Sequence, residues 1–175
     1  MQKVKAISDI SSRNKFFSKL PLKYKIIWII GIKTGLRISD ILNLRVEELV
    51  MRYFELKEQK TGKTRVIELK LSKSELKLFK SYLYNRDPKS YAFSGKRFDK
   101  PLSRVQVYRV FKAVAERNGI KGIGTHTMRK TFARDHFKEH RSISELQEVL
   151  NHKFASTTVG YIFNWEELEQ IEMDL

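Results

Sequence analysis

The 175-residue chain has no cysteine, which excludes disulfides, thiolate catalysis and any zinc site built on sulfur. It has no apolar run of transmembrane length. The longest, Ile26 to Ile32, includes Gly31 and is bounded by Lys25 and Lys33. The first residues, Met-Gln-Lys-Val-Lys-Ala-Ile-Ser-Asp, lack the apolar core of a signal peptide. Internal repeats, low-complexity stretches and linkers are also missing. A single globular domain is expected, in the cytoplasm.

What is present is basic. Hydrophobic residues make up 41% and charged residues 31%, a balance that supports a packed core and not a disordered chain. Lys and Arg number 35 against 20 Asp and Glu, a formal net charge of +15. An excess of this size favours a polyanionic partner, most often nucleic acid. The charge is spread along the chain and not gathered on one amphipathic helix, which argues against a membrane surface.

Local signals order the chain. Asp9 or Ser11 caps a short helix running through Leu20, and Pro21 opens the next, which Gly35 closes. Ile38 to Leu44 is a further helical turn or two. Residues 50 to 56 alternate as a strand, 60 to 63 form a turn, and 64 to 69 form a second strand, giving an antiparallel hairpin. Helices follow over 71 to 84, from Ser103 to about Asn118, from Thr125 to about His140, and from Ser142 or Ser144 to Leu150. The fold class is mainly α with a small antiparallel hairpin (α+β).

Several polar residues stand where chemistry is plausible. Arg37 lies at the junction of two helices, and a guanidinium suits phosphate through its paired donors. Lys60 and Lys63 flank a Thr-Gly turn, within reach of a backbone phosphate. The Gly-Lys-Thr at 62 to 64 is not a P-loop, because Lys57 holds the position of the required glycine and no helix follows. His126 and Arg129 are three apart at a helix start and share a face. His136-Phe-Lys-Glu139-His140 fits an inverted zinc-hydrolase pattern, with two imidazole ligands and a glutamate to activate water. A third ligand would have to come from elsewhere, so solvated surface histidines are the better reading. Asn151 is suited to a left-handed helix cap that turns His152 out into a cleft. Tyr161 alone would be a half-buried core aromatic.

Together these motifs resemble the tyrosine recombinase (phage integrase) family. The stretches are Thr-Gly-Leu-Arg-Ile-Ser-Asp-Ile-Leu-Asn-Leu (34 to 44), Gln-Lys-Thr-Gly-Lys-Thr-Arg-Val-Ile-Glu-Leu (59 to 69), Thr-His-Thr-Met-Arg-Lys-Thr-Phe-Ala (125 to 133) and Leu-Asn-His-Lys-Phe-Ala-Ser-Thr-Thr-Val-Gly-Tyr (150 to 161). They stand in the family's order and cover residues 22 to 165. The resemblance implies that Arg37 and Arg129 are the catalytic arginines, Lys60 the hairpin lysine, His126 and His152 the two histidines, and Tyr161 the nucleophile. It places Asp40 at a supporting acidic position. It implies the family's mostly helical catalytic-domain fold and no cofactor or metal. The expected reaction is cleavage and rejoining of double-stranded DNA through a 3′-phosphotyrosine. Lys130 and Asn151 depart from the family's usual histidine and glycine.

The same resemblance divides the chain as one catalytic domain over 1 to 175, with a lead-in over about 1 to 20 and a tail helix over 164 to 175. On this division the family's N-terminal core-binding domain is expected to be absent. The acidic, amphipathic tail is expected to contact a neighbouring protomer in a DNA-bound tetramer. The rival readings are a non-catalytic DNA-binding protein of the same fold and, further off, a zinc hydrolase.

Overall fold

The computed structural model describes residues 4–7, 9–95 and 100–163. Among these, the elements are α1 (Ile10–Lys19), α2 (Leu22–Thr34), α3 (Ile38–Leu42), α4 (Val46–Met51), β1 (Tyr53–Lys57), β2 (Thr64–Glu68), α5 (Lys73–Leu83), α6 (Arg104–Arg117), α7 (Thr127–His140), α8 (Ile143–Leu150) and α9 (Ala155–Ile162). The mainly helical architecture with one antiparallel hairpin is as the sequence implies. No helix among the described residues is long and apolar enough to cross a membrane.

α2 is the central post. Its middle, residues 26–31, is apolar on all sides and must be covered all round, and Ile26, Ile27, Trp28, Ile29 and Ile30 are buried. On one side Trp28 meets Phe16 of α1 and Phe111 of α6 edge-to-face, with ring centroids 5.0 and 5.9 Å away. On another, α7 approaches so closely that a Cβ on Gly31 would lie 2.6 Å from the Met128 sulfur. Gly35 ends α2 with φ 63°, and a Cβ there would strike the Phe132 ring at 2.5 Å. Glycine is therefore required at this helix end for conformation and for space. Arg13 of α1 grips Asp135 of α7 through paired contacts of 2.6 and 3.0 Å.

A second, smaller core joins α7, α8 and α9. Ala133, Leu146, Leu150 and Ile162 are its buried members, and Phe132, Phe137 and Tyr161 pack against it. The two cores meet along α7, which carries Met128 in the first and Ala133 in the second.

The hairpin pairs Tyr53 with Glu68 through Lys57 with Thr64. Its strand begins later than the alternation over 50 to 56 implies. Val50 and Met51 belong to α4, which starts where the Glu48 carboxylate accepts the Arg45 N–H at 2.6 Å, and Arg52 (φ 60°) reverses the chain into β1. α7 also starts two residues after Thr125. The Thr127 hydroxyl accepts the Gly124 N–H at 3.0 Å and holds 124–127 as a turn. The stretch before Tyr161, without a helical expectation from sequence, is α9.

Candidate active site

The site lies where the ends of α2 and α8, the start of α7 and the hairpin turn converge. Arg129 is at its centre and is 2% exposed. Its guanidinium donates to the Gly35 carbonyl at 2.5 Å and to the Leu150 carbonyl. These are carbonyls at the C-terminal ends of two helices, which lack intrahelical donors and sit at the negative end of the helix dipole. One cation thus ties α2 to α8. Burial, followed by repulsion from Arg37, lowers the Arg129 pKa to about 10, with Tyr161 and Glu58 opposing. It remains a cation at neutral pH.

Arg37, the N-cap of α3, is the second arginine. Its Nη1 donates to Glu58 Oε2 at 2.6 Å. Glu58 is fully buried and collects donors. The Thr61 hydroxyl donates to it at 2.8 Å, the Asn151 amide at 2.9 Å and Arg65 at 3.2 Å. Burial works to raise its pKa, but the bonds from Thr61, Asn151 and Arg37, with the Arg37 charge, outweigh this and hold it at about 2. The carboxylate is the counter-ion that keeps Arg37 and Arg65 together.

Asn151 caps α8 in the left-handed conformation (φ 52°, ψ 47°), as its position after Leu150 implies. His152 then leaves the helix. Its Nε2 lies 3.3 Å from Arg129 Nη2, and its Nδ1 3.0 Å from the Thr158 hydroxyl. Arginine only donates, so Nε2 accepts and the ring proton sits on Nδ1, donating to Thr158. Burial first, then the charges of Arg129 and Arg37, lower the His152 pKa to about 4. The ring is neutral at pH 7 and holds Nε2 as an acceptor.

Tyr161 stands on α9, half-buried. Its ring meets His152 edge-to-face at 4.9 Å and 64°, and Lys130 Nζ lies 5.6 Å from its centroid. α9 runs from Ala155 to Ile162 and is anchored by Thr158 and Ile162, both buried. The Thr158 hydroxyl fixes His152 and, one turn on, Tyr161 faces the same imidazole.

Asp40 is 1% exposed, and its Oδ1 accepts the Gln59 N–H at 3.0 Å. It therefore pins the residue just before Lys60. Burial raises its pKa, aided by Glu58 and opposed by the Gln59 bond and by Arg37 and Arg129. Lys60 itself is exposed at the turn, and its charge is one of those lowering the His152 pKa. His126 is exposed at the N-cap of α7 and makes no capping bond. Partial desolvation of its ring, then Arg129, Arg104, Lys130 and Arg37, lowers its pKa. Arg37, Arg129, His152 and Tyr161 are thus joined through a contact network. Lys60 and His126 adjoin it through their fields alone among the described residues.

Glu58, Thr158 and Arg65 are absent from the sequence-based site. Glu58 had a legible signal. Phe54, Leu56 and Glu58 alternate along one face, and that face is buried. A carboxylate in an apolar register calls for a cationic partner.

Comparison with known proteins agrees with this geometry. Residues 1–167 match the model of the phage integrase family. The probable integrase/recombinase YoeC of Bacillus subtilis (strain 168) is 35% identical over 166 residues, covering 93% of this chain and 89% of YoeC. Tyrosine recombinase XerA of Pyrococcus furiosus is 28% identical over 165 residues, covering 91% of this chain but 54% of XerA. The chain thus spans about half the length of the XerA relative and most of YoeC. Among solved structures, an XerA recombinase superposes with TM-score 0.72 at 18% identity, over 98% of this chain and 66% of that one. A lambda integrase dimer bound to a COC′ core site superposes with TM-score 0.70 at 21% identity, over 93% and 49%. Both share the fold. Set beside the matched motifs, these likenesses establish that the chain belongs to the phage integrase family.

Proposed function

We propose that this chain carries the DNA breaking-and-rejoining chemistry of a tyrosine-type site-specific recombinase, acting on double-stranded DNA in the cytoplasm of a prokaryotic or phage-infected cell. The observation that carries the reading is the grouping of two fixed guanidiniums, Arg37 and Arg129, with His152 and the ring of Tyr161. A phosphodiester that enters between them meets cations where the pentavalent transition state gathers charge, so the assembly needs no metal for charge neutralisation.

The steps follow from the residue types. The Tyr161 oxygen attacks the scissile phosphorus, His126 takes the phenol proton, and the 5′-oxygen leaves as a hydroxyl with a proton from Lys60. The 3′-phosphate is then held on Tyr161. A 5′-hydroxyl of a second strand reverses the step and returns the proton, so the bond energy is conserved. Asp40 positions Lys60 by holding Gln59. The neutral His152 becomes a donor once a phosphate oxygen takes Arg129 and its charge favours the imidazolium.

The test uses nicked duplexes of randomised sequence incubated with the chain in EDTA, then denatured. A covalent protein–DNA adduct that disappears in Tyr161→Phe supports the proposal. Salt-sensitive DNA binding with no adduct on any duplex supports the non-catalytic reading instead. The tail over 164 to 175 lies outside the described residues. Its acidic, amphipathic sequence supports a role in assembly on DNA, which deletion of 164 to 175 tests. Unchanged assembly of the truncated chain on DNA contradicts that role.

A further inference from the structure

The His136–His140 motif finds its missing partner on the next helix. α7 ends at Arg141, whose left-handed backbone (φ 56°) reverses the chain, and Ser142 starts α8. The turn brings Glu145 under the two imidazoles. Glu145 Oε1 lies 3.6 Å from His136 Nε2 and 3.5 Å from His140 Nδ1. One ligand atom from each of the three residues falls within 4.8 Å of the others. We propose that His136, His140 and Glu145 bind one divalent transition metal ion, with zinc the best fit, as a clasp between α7 and α8.

The distances favour a shared cation over hydrogen bonds. Both are longer than the 2.7–3.2 Å of a good N–H···O bond. They are close to the separation of about 3.3 Å between two ligands of one tetrahedral zinc with metal–ligand bonds near 2.0–2.1 Å. The rings are also arranged for chelation. They stack at 4.2 Å and 27°, one turn apart on the same helix face, with a nitrogen of each turned to the same carboxylate oxygen. His136 has little else to hold it. Its Nδ1 is buried without a hydrogen-bond partner among the described residues, while the Phe132 ring supports its face at 5.5 Å.

The surroundings suit a cation. The cluster sits at the C-terminal end of α7, where the helix dipole is negative. The side chains are graded in exposure, His136 12%, His140 41% and Glu145 47%, so the base of the site is inside and the mouth is open to a fourth, water ligand. Glu139 Oε2 lies 3.9 Å from His140 Nε2, on the ring's outer edge and beyond hydrogen-bond distance. Histidine and carboxylate donors without sulfur match zinc and its neighbours over calcium or magnesium. Glu139 is 78% exposed and outside the three-ligand set, so the site is a clasp and not the hydrolase that the bare motif implies.

The consequence is mechanical. α7 bears Arg129 and α8 leads directly to His152, so metal at the far end of α7 would fix the angle at which those two residues meet. The chemistry proposed above uses no metal, and the clasp does not depend on it. The experiment titrates the metal-free full chain with Co²⁺, read by tetrahedral visible absorption, and with Zn²⁺, read by calorimetry and by the shift in Tm. One equivalent is expected in the parent chain. Affinity should fall at least about tenfold in His140→Ala and in Glu145→Gln, with the Zn²⁺-induced Tm shift lost in both. His140 and Glu145 are both solvent-accessible, and circular dichroism of the metal-free variants checks that they fold. Failure of the parent chain to bind an equivalent overturns the proposal. So does equal binding by the two folded variants, which would place the metal on other histidines, His126 and His152 included.

Discussion

The active site has two differently built halves. Arg129, Arg37, Glu58 and His152 are packed and bonded to one another or to helix ends, and Arg129 and Glu58 are almost fully out of water. Lys60 and His126 stand exposed at a turn and at a helix start. The difference follows from the work each half is given. Groups that stabilise charge act best when fixed and desolvated before the substrate arrives. Under the proposed roles, groups that move protons must meet the substrate's own oxygens, which suits a place at the rim. The buried half is therefore part of the fold, and the half proposed to transfer protons is exposed.

Arg129→Ala offers the severest test of that contrast. It should lower the cleavage rate on the order of 10²- to 10³-fold. It should also destabilise the chain by about 3 kcal/mol, because the carbonyls of Gly35 and Leu150 lose their donor in the interior. Single-turnover cleavage together with denaturant unfolding measures both. Loss of rate with full stability would show that Arg129 is not part of the frame.

Lys60→Ala should separate the two halves. A rate loss of about 10²-fold is expected, with stability within about 0.5 kcal/mol of the parent. Rescue of the lost rate by a DNA whose leaving 5′-oxygen is replaced by sulfur, which needs no acid, would identify the proton given by Lys60. An unfolding midpoint that shifts strongly would mean the turn lysine is structural after all.

Glu58→Gln tests the frame alone, through pH. Glu58 has a folded pKa of about 2 against 4.5 in the unfolded chain. A depressed carboxyl pKa contributes stability above 4.5, lost as pH falls toward 2. The full contribution is at most about 3 kcal/mol. The parent should lose stability across that window, and the variant should show a flatter profile.

His152 should act in the next window up, with an effect at most as large, discounted because its ring is only partly buried. Its folded pKa of about 4 lies below the usual 6.5, so its neutral form favours folding above 6.5 and that contribution is lost as pH falls toward 4. His152→Gln should remove this part of the pH dependence in unfolding curves. In addition, NMR titration of the ring should show its pKa rising when a phosphodiester binds. A pKa unmoved by the ligand would exclude the proposed change from acceptor to donor.

Sequence signals were strongest where one residue decides the local backbone. Asp9, Ser72, Ser103 and Ser142 accept N–H groups at the starts of α1, α5, α6 and α8, and Gly35 ends α2 in the left-handed conformation. They were weakest where tertiary packing overrules propensity. Ala-Ser-Thr-Thr-Val-Gly-Tyr-Ile is a poor helix former, yet it forms α9 because Thr158 and Ile162 are buried against α7 and α8. Val50 and Met51 alternate with their neighbours as a strand does, but Glu48 bonded to Arg45 starts a helix through them. In the site, Arg37, Arg129, His152 and Tyr161 were legible as residue types in order. The network around Glu58 was not: Asn151 comes from a segment 93 residues away, and the pairing with Thr61 and Arg65 depends on how the hairpin turn folds.

That separation also bears on how the chain becomes active as it is made. The Glu58–Asn151 bond spans 93 residues and the Arg129–Gly35 bond 94. Loops of this length close late and slowly relative to local helices. In a nascent chain that has not yet released Arg129 and Asn151, Glu58 has Arg37, Thr61 and Arg65 within reach but lacks Asn151, and the Gly35 carbonyl lacks Arg129. Truncated translation products therefore lack an assembled site, and under the proposed function strand cutting requires chains synthesised past Tyr161.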